Sequence, residues 1–189
     1  MTGGEYIMNR FSREEMLIGK NNLEKLNKSH IAVFGIGGVG SYVCEALARA
    51  GVGTLTLIDN DVVNHTNINR QLIALESSVG KLKTAVMKNR ILDINPKAIV
   101  NEINKFYLPD IKDEFPLIEY DYIVDCIDTV SGKVSLIERA DILGKKIISC
   151  MGTGNKIHGE MLEMIFLPKI SALSINDTFP LTVSIQSTI

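Results

Sequence analysis

The chain has 189 residues, 46% of them apolar and 22% charged, with a formal net charge of −2. This is one globular domain with room for a sizeable core, and collagen-like, disordered and coiled-coil classes are excluded. A globally basic nucleic-acid binder is excluded too, while a local basic surface stays open.

The first thirty residues read as helical. Ser12, with Glu15 three residues on, has the form of a capping box, and Leu23 and Leu26 continue the helical pattern until 27–30. Residues 31–34 (IAVF) are a short apolar run ending in glycines, as expected of a buried parallel strand. Residues 39–50 follow as a helix with Val39, Val43, Ala46, Leu47 and Ala50 on one face, stopped by Gly51. Residues 54–59 are the next strand, and a polar loop covers 60–78. A helix is expected over 80–95, a strand over 98–103, a strand over 121–127, a helix over 130–143 and a strand over 146–150. Strands alternating with helices predict an α/β fold: a doubly wound, mainly parallel sheet with right-handed crossovers. Residues 164–189 differ, with Lys169 and Asp177 as their only charges and short β-prone pieces but no helical pattern.

No apolar stretch approaches the roughly 20 residues needed to span a bilayer, and the N-terminus lacks the apolar core of a signal peptide. Cys44, Cys126 and Cys150 are three in number and lack CxxC spacing, so neither a disulfide framework nor a structural zinc site follows. All three read better as small core residues than as nucleophiles, and the expected location is the reducing cytoplasm.

Gly35-Ile36-Gly37-Gly38-Val39-Gly40 lies between the first strand and its helix. Such a loop turns tightly, lets backbone N–H groups approach phosphate oxygens, and faces them with a helix N-terminus. Asp59 ends the second strand, where a carboxylate accepts hydrogen bonds from ribose hydroxyls. The loop alone does not separate NAD from ATP. The residues that follow do: Asp61, Asn67, Arg70 and Gln71 in the polar loop, Lys83 after Gly80, and Asp125-Cys126-Ile127-Asp128 at the end of a strand. Arg70 and Lys83 suit phosphate charge. Asp128 stands where a magnesium ion could share a carboxylate with phosphate oxygens. Asp61 reads equally as an aid to the metal and as a support for the Arg70 loop. Asp125 reads better as a cap than as a metal ligand. His65 reads as a solvated loop residue.

The ordered set GxGGxG, DxDxVxxxNxxRQ, GxxK and DCxD resembles the ThiF-type family, adenylating enzymes related to ubiquitin-activating enzymes. The resemblance covers residues 10–156. It implies a Rossmann-like ATP-binding unit, ATP and Mg²⁺ as cofactors, and adenylation of a carboxylate. It places the nucleotide against Gly35, Gly37, Gly38, Gly40, Asp59, Asp61 and Gln71. Asn67, Arg70 and Lys83 then contact the phosphates and Asp128 binds the metal. It also implies a homodimer in which an N-terminal arginine reaches the partner's ATP. Arg13 is the match for that role, with a plain surface charge as the alternative. The expected catalytic set is Arg70, Lys83, Asp128 and Arg13.

Residues 10–19 and 151–156 further resemble the tRNA-modifying branch of the family, whose members dehydrate threonylcarbamoyl-adenosine beside the anticodon. That makes tRNA the expected substrate and brings a sulfur-relay protein into view as a partner. Within residues 81–105, six cations against Asp93 and Glu102 offer a tRNA contact or a solvated helix face. The first alternative substrate is the C-terminal glycine of a ubiquitin-like sulfur carrier; the lack of paired CxxC motifs argues against it. A second alternative is an NAD(P)-binding Rossmann dehydrogenase, and a third a non-catalytic ATP-binding remnant. Beyond residue 156 the resemblance stops. The expected organisation is a nucleotide-binding domain over 1–156 followed by an atypical or truncated tail over 157–189.

Overall fold

The computed structural model of the chain describes residues 10–150, Gly152 and the strand 164–167. The expectations for residue 151, for 153–156 and for most of the tail lie outside these residues. The elements run α1 (Ser12–Ile18), α2 (Lys20–Lys28), β1 (His30–Phe34), α3 (Gly40–Ala50), β2 (Thr54–Ile58), α4 (Lys83–Ile94) and β3 (Ile99–Ile103). Then come β4 (Tyr122–Asp125), α5 (Val130–Ile142), β5 (Lys146–Cys150) and β6 (Met164–Leu167). They build one sheet in the order β3-β2-β1-β4-β5-β6. Its first five strands are parallel, and β6 pairs antiparallel with β5. The expected α/β, doubly wound, mainly parallel sheet is therefore present.

The period of two along β1 sets up two cores. Ile31 and Val33 face one side, where they meet Leu55, Leu57, Cys44 and Ala48 of α3, and Met87 and Ile91 of α4. Ala32 and Phe34 face the other, against Phe115, Tyr120, and Leu136 and Ala140 of α5. The strand order reverses between β1 and β4. In open α/β sheets that switch point is where ligands bind.

Three local expectations are corrected. Gly19, at φ 82°, splits the N-terminal helical segment into α1 and α2. Ser12 lies in the first turn of α1 rather than at its N-cap, which is Phe11 and carries no side-chain cap bond. Helix α4 starts at Lys83 rather than near 80. Residues 80–82 are taken up instead by a bridge between Val62 and Leu82, with Val63 N–H donating to the Lys81 carbonyl at 2.8 Å. Between β3 and β4 the chain makes two short 3₁₀ pieces, Pro109–Glu114 and Leu117–Glu119. Among the described residues no helix is long and apolar enough to cross a membrane.

Candidate nucleotide site

The glycine loop is shaped by two close approaches. Gly35 has φ 88°, and a Cβ there would lie 2.6 Å from the Cys126 carbonyl oxygen; a Cβ on Gly40 would lie 1.7 Å from the Gly35 carbonyl oxygen. Neither place admits a side chain. Gly37 and Gly38 are less crowded. The nearest atom to a Cβ on Gly37 is Gln71 Nε2 at 3.8 Å, and Gly38 faces the Arg70 carbonyl and stem at 3.6 Å. The loop thus passes under residues 70–71 before entering α3, whose N-terminus adds partial positive charge.

The end of β2 fastens this loop. Asp59 is buried; its Oδ2 accepts from Ile36 N–H at 2.6 Å and its Oδ1 from Asp61 N–H at 2.7 Å. Each oxygen keeps a further acceptor direction, so the carboxylate can still receive a ribose hydroxyl. Asp61 forms an ion pair with Lys83 at 2.6 Å; the lysine side chain is 6% exposed and the aspartate's 49%. The lysine backbone N–H also donates to the Asp61 carbonyl at 3.0 Å. Asp61 therefore holds the Lys83 ammonium in place, a role sequence reasoning had not weighed.

The polar loop is built from its own side chains. Asn67 is buried, and its Oδ1 accepts from Asn64 N–H at 2.9 Å, closing a cap on the 3₁₀ turn His65–Asn67. Arg70 is exposed and donates from Nη1 to the Thr66 carbonyl at 2.8 Å and to Asn69 Oδ1 at 3.2 Å. Gln71 is buried, and its Oε1 is the single buried side-chain polar atom without a partner among the described residues. A buried orphan of this kind calls for a ligand or a water.

At the end of β4, Asp125 is fully buried. Its Oδ1 accepts from Ile127 N–H at 3.0 Å, and its Oδ2 from Lys133 Nζ at 2.7 Å and Ser149 Oγ at 2.6 Å. This is the capping role expected of it. Lys133 and Ser149 were missed in the sequence; the available signals were a lysine in the second turn of α5 and a serine inside an apolar strand. Asp128, beyond the strand end, is exposed and has no side-chain partner among the described residues. Arg13 is exposed on α1, and no described interaction joins it to the loops of its own chain.

The cysteines differ in kind. Cys44 is fully buried, and burial pushes its thiol up. Cys126 is raised by its hydrogen bond with Cys150 and by burial. Cys150, half-buried, is lowered to about 7, first by the hydrogen bond from Cys126; burial and Asp125 oppose this and the Lys133 ammonium favours it. The stretch 81–105 is not a basic patch. Four of its cations face carboxylates: Lys83 with Asp61, Lys88 with Glu102, Arg90 with Glu45 and Lys105 with Glu114.

The ThiF family profile matches residues 11–172. tRNA threonylcarbamoyladenosine dehydratase of Bacillus subtilis (strain 168) is 45% identical over 150 residues, which is 79% of this chain and 59% of that protein. The crystal structure of E. coli tRNA N6-threonylcarbamoyladenosine dehydratase, TcdA, in complex with ATP superposes with a TM-score of 0.77 at 39% identity. The alignment covers 84% of this chain and 65% of that one. A more distant relative, adenylyltransferase and sulfurtransferase UBA4 of Vanderwaltozyma polyspora, is 34% identical over 151 residues, 78% of this chain and 34% of that protein. The chain spans about three fifths of the length of the curated dehydratases it matches.

Proposed function

Because the chain belongs to the ThiF family, we propose that it binds ATP with magnesium at the carboxyl end of its sheet and adenylates a carboxylate. The substrate in this reading is threonylcarbamoyl-adenosine in tRNA, whose activated carboxylate closes into a ring with net loss of water. The observation that carries it is the seam between the glycine loop and the polar loop. There Gly37 and Gly38 lie under Gln71 and Arg70, and a buried Gln71 oxygen lacks a partner. The dehydratase names of the relatives at this identity support the choice of substrate.

In this reading the loop N–H groups and the α3 N-terminus hold phosphate oxygens, and Asp59 orients the ribose while keeping Ile36 in place. Asn67, Arg70 and Lys83 line the phosphates. Charge that builds at the α-phosphate as the carboxylate attacks is met by Arg70 and Lys83, cations fixed before the reaction begins. Lys83 is already desolvated and held by Asp61, so little reorganisation remains for it. Among the described residues no group of three or more His, Cys, Asp or Glu could hold a metal alone. Magnesium takes one or two carboxylates and completes its shell with phosphate oxygens and water. Asp128, exposed and unpaired, is the residue that would hold it; magnesium bound there would neutralise the departing pyrophosphate. A second copy of the chain supplies Arg13 in trans, making the active species a homodimer. The setting is cytoplasmic, with a sulfur-relay protein as a further partner.

The test is incubation with ATP, Mg²⁺ and tRNA bearing threonylcarbamoyl-adenosine. The expected products are AMP and a nucleoside lighter by one water. The similarity to UBA4 favours one second reading, adenylation of a ubiquitin-like sulfur carrier. Pyrophosphate exchange driven by a carrier's C-terminal peptide, with tRNA unchanged, would select it. Binding of NAD without binding of ATP would remove adenylation altogether.

A further inference from the structure

Two of the three cysteines are placed together by the sheet. Strands β4 and β5 are parallel neighbours with Asp125 paired to Ser149, so Cys126 and Cys150 each directly follow that last pair. Cys126 N–H still donates to the Phe34 carbonyl at 2.8 Å, so the sheet continues through that residue. Adjacent strands lie about 4.8 Å apart, inside the roughly 4.4–6.8 Å Cα separation that a disulfide spans. Residues paired across a parallel ladder point to the same face, and both side chains pack against the apolar cluster beneath α3. Cys126 is buried and Cys150 half-buried, so a reagent reaches Cys150 first. Nothing in the adenylation reading uses either thiol.

We propose that Cys126 and Cys150 form a thiol–disulfide exchange site for a small disulfide oxidant, and that its state governs the glycine loop. The Cys150 thiolate attacks one sulfur of the oxidant, forming a mixed disulfide and releasing the first small thiol. Cys126 then gives up its proton and attacks the Cys150 sulfur, expelling the second small thiol. The protein loses two electrons and two protons in all, and the oxidant disulfide is reduced to two thiols. A reducing pool reverses the exchange, as for the labile disulfides of reducing compartments.

The link to the loop is steric. The Cys126 carbonyl oxygen occupies the place a Gly35 side chain would need, and Cys126 Cβ lies 3.4 Å from the Cβ position of Gly40. Drawing Cys126 toward Cys150 moves the floor under the two glycines that admit no side chain. The consequence for nucleotide rests on the ATP reading above; the cross-link itself does not.

The test uses the full chain and oxidised glutathione. After incubation, free thiols are alkylated and peptides mapped by mass, and MgATP binding is measured before and after. The expected result is a Cys126–Cys150 cross-link with Cys44 left free, reversed by dithiothreitol, and MgATP binding at least tenfold weaker in the cross-linked form. Cys126→Ala and Cys126→Ser should each trap glutathione on Cys150 as a stable mixed disulfide. Three alkylated thiols after incubation, or a stable mixed disulfide in the unsubstituted protein, would overturn the exchange site. A cross-linked protein that binds MgATP as the reduced one does would overturn the control of the loop. Absence of ATP binding in the reduced protein, with the cross-link forming, would count against the adenylation reading and against the control of the loop, but not against the exchange site.

Discussion

The carboxyl ends of β2 and β4 are built on one plan and finished differently. Each has a buried aspartate that binds backbone N–H groups: Asp59 holds Ile36 and Asp61, and Asp125 holds Ile127. Each is followed by a more exposed aspartate, Asp61 after β2 and Asp128 after β4. At β2 a lysine neutralises the outer carboxylate, with Lys83 on Asp61. At β4 a lysine neutralises the inner one, with Lys133 on Asp125. The position of one lysine thus decides which carboxylate is left to take a new cation. It is the outer one after β4, Asp128, while after β2 the outer carboxylate is taken up by Lys83. In the proposed function the two strand ends supply Lys83 to the phosphates and Asp128 to the metal.

The sharpest way to break this contrast is Asp125→Ala. It strands a Lys133 side chain that is 13% exposed, and removing one partner of a buried pair costs about 3–5 kcal/mol. Urea unfolding measures it, and a loss below about 1 kcal/mol would mean the inner pair at β4 is not structural. Asp128→Ala should do the reverse, leaving stability within about 0.5 kcal/mol of the parent. AMP formation should fall at least 100-fold, about 2.7 kcal/mol of transition-state stabilisation. At β2, Asp61→Asn loosens Lys83 through a half-exposed partner. We expect about 1 kcal/mol of stability to go, discounted for solvent screening, and thermal unfolding reports it. The smallest effect concerns the β4 side alone. Alkylation of Cys150 by iodoacetamide should rise as pH passes about 7, because the hydrogen bond from Cys126 and the Lys133 ammonium favour the thiolate against burial and Asp125. Below that pH the protonated thiol reacts slowly. A midpoint near 9 in a rate–pH profile would show that neither group acts on it.

Much of the fold was legible because the sheet is buried on both faces. Short apolar runs such as 31–34 and 54–59, with helical periodicity over 39–50, carry the alternation of strands and helices. Boundaries failed where glycine or a tertiary bridge intervened: Gly19 divides a segment that reads as one helix, and the Val62–Leu82 bridge removes the expected first turn of α4. Of the candidate residues, Gly37, Gly38, Arg70 and Gln71 meet in the structure, but the electrostatic states of the candidates were not legible. Arg70 and Lys83 look alike as cations near phosphates, yet one is exposed on its own loop and the other is buried on an aspartate 22 positions earlier. Lys133 and Ser149 could not be joined to Asp125 from sequence, since a helix and a neighbouring strand bring them there. The formal charge of 81–105 was uninformative for the same reason: the carboxylates Asp61, Glu45 and Glu114 that face its cations lie outside it.

In the proposed function the Asp128 carboxylate after β4, without a side-chain partner among the described residues, holds the metal that accompanies ATP. Titration of the protein and its Asp128→Ala variant with ATP, each with and without Mg²⁺, tests it most directly. Mg²⁺ is expected to tighten ATP binding to the parent at least tenfold and to have little effect on the variant, which still folds and still binds metal-free ATP. An equal gain from Mg²⁺ in both proteins would contradict it.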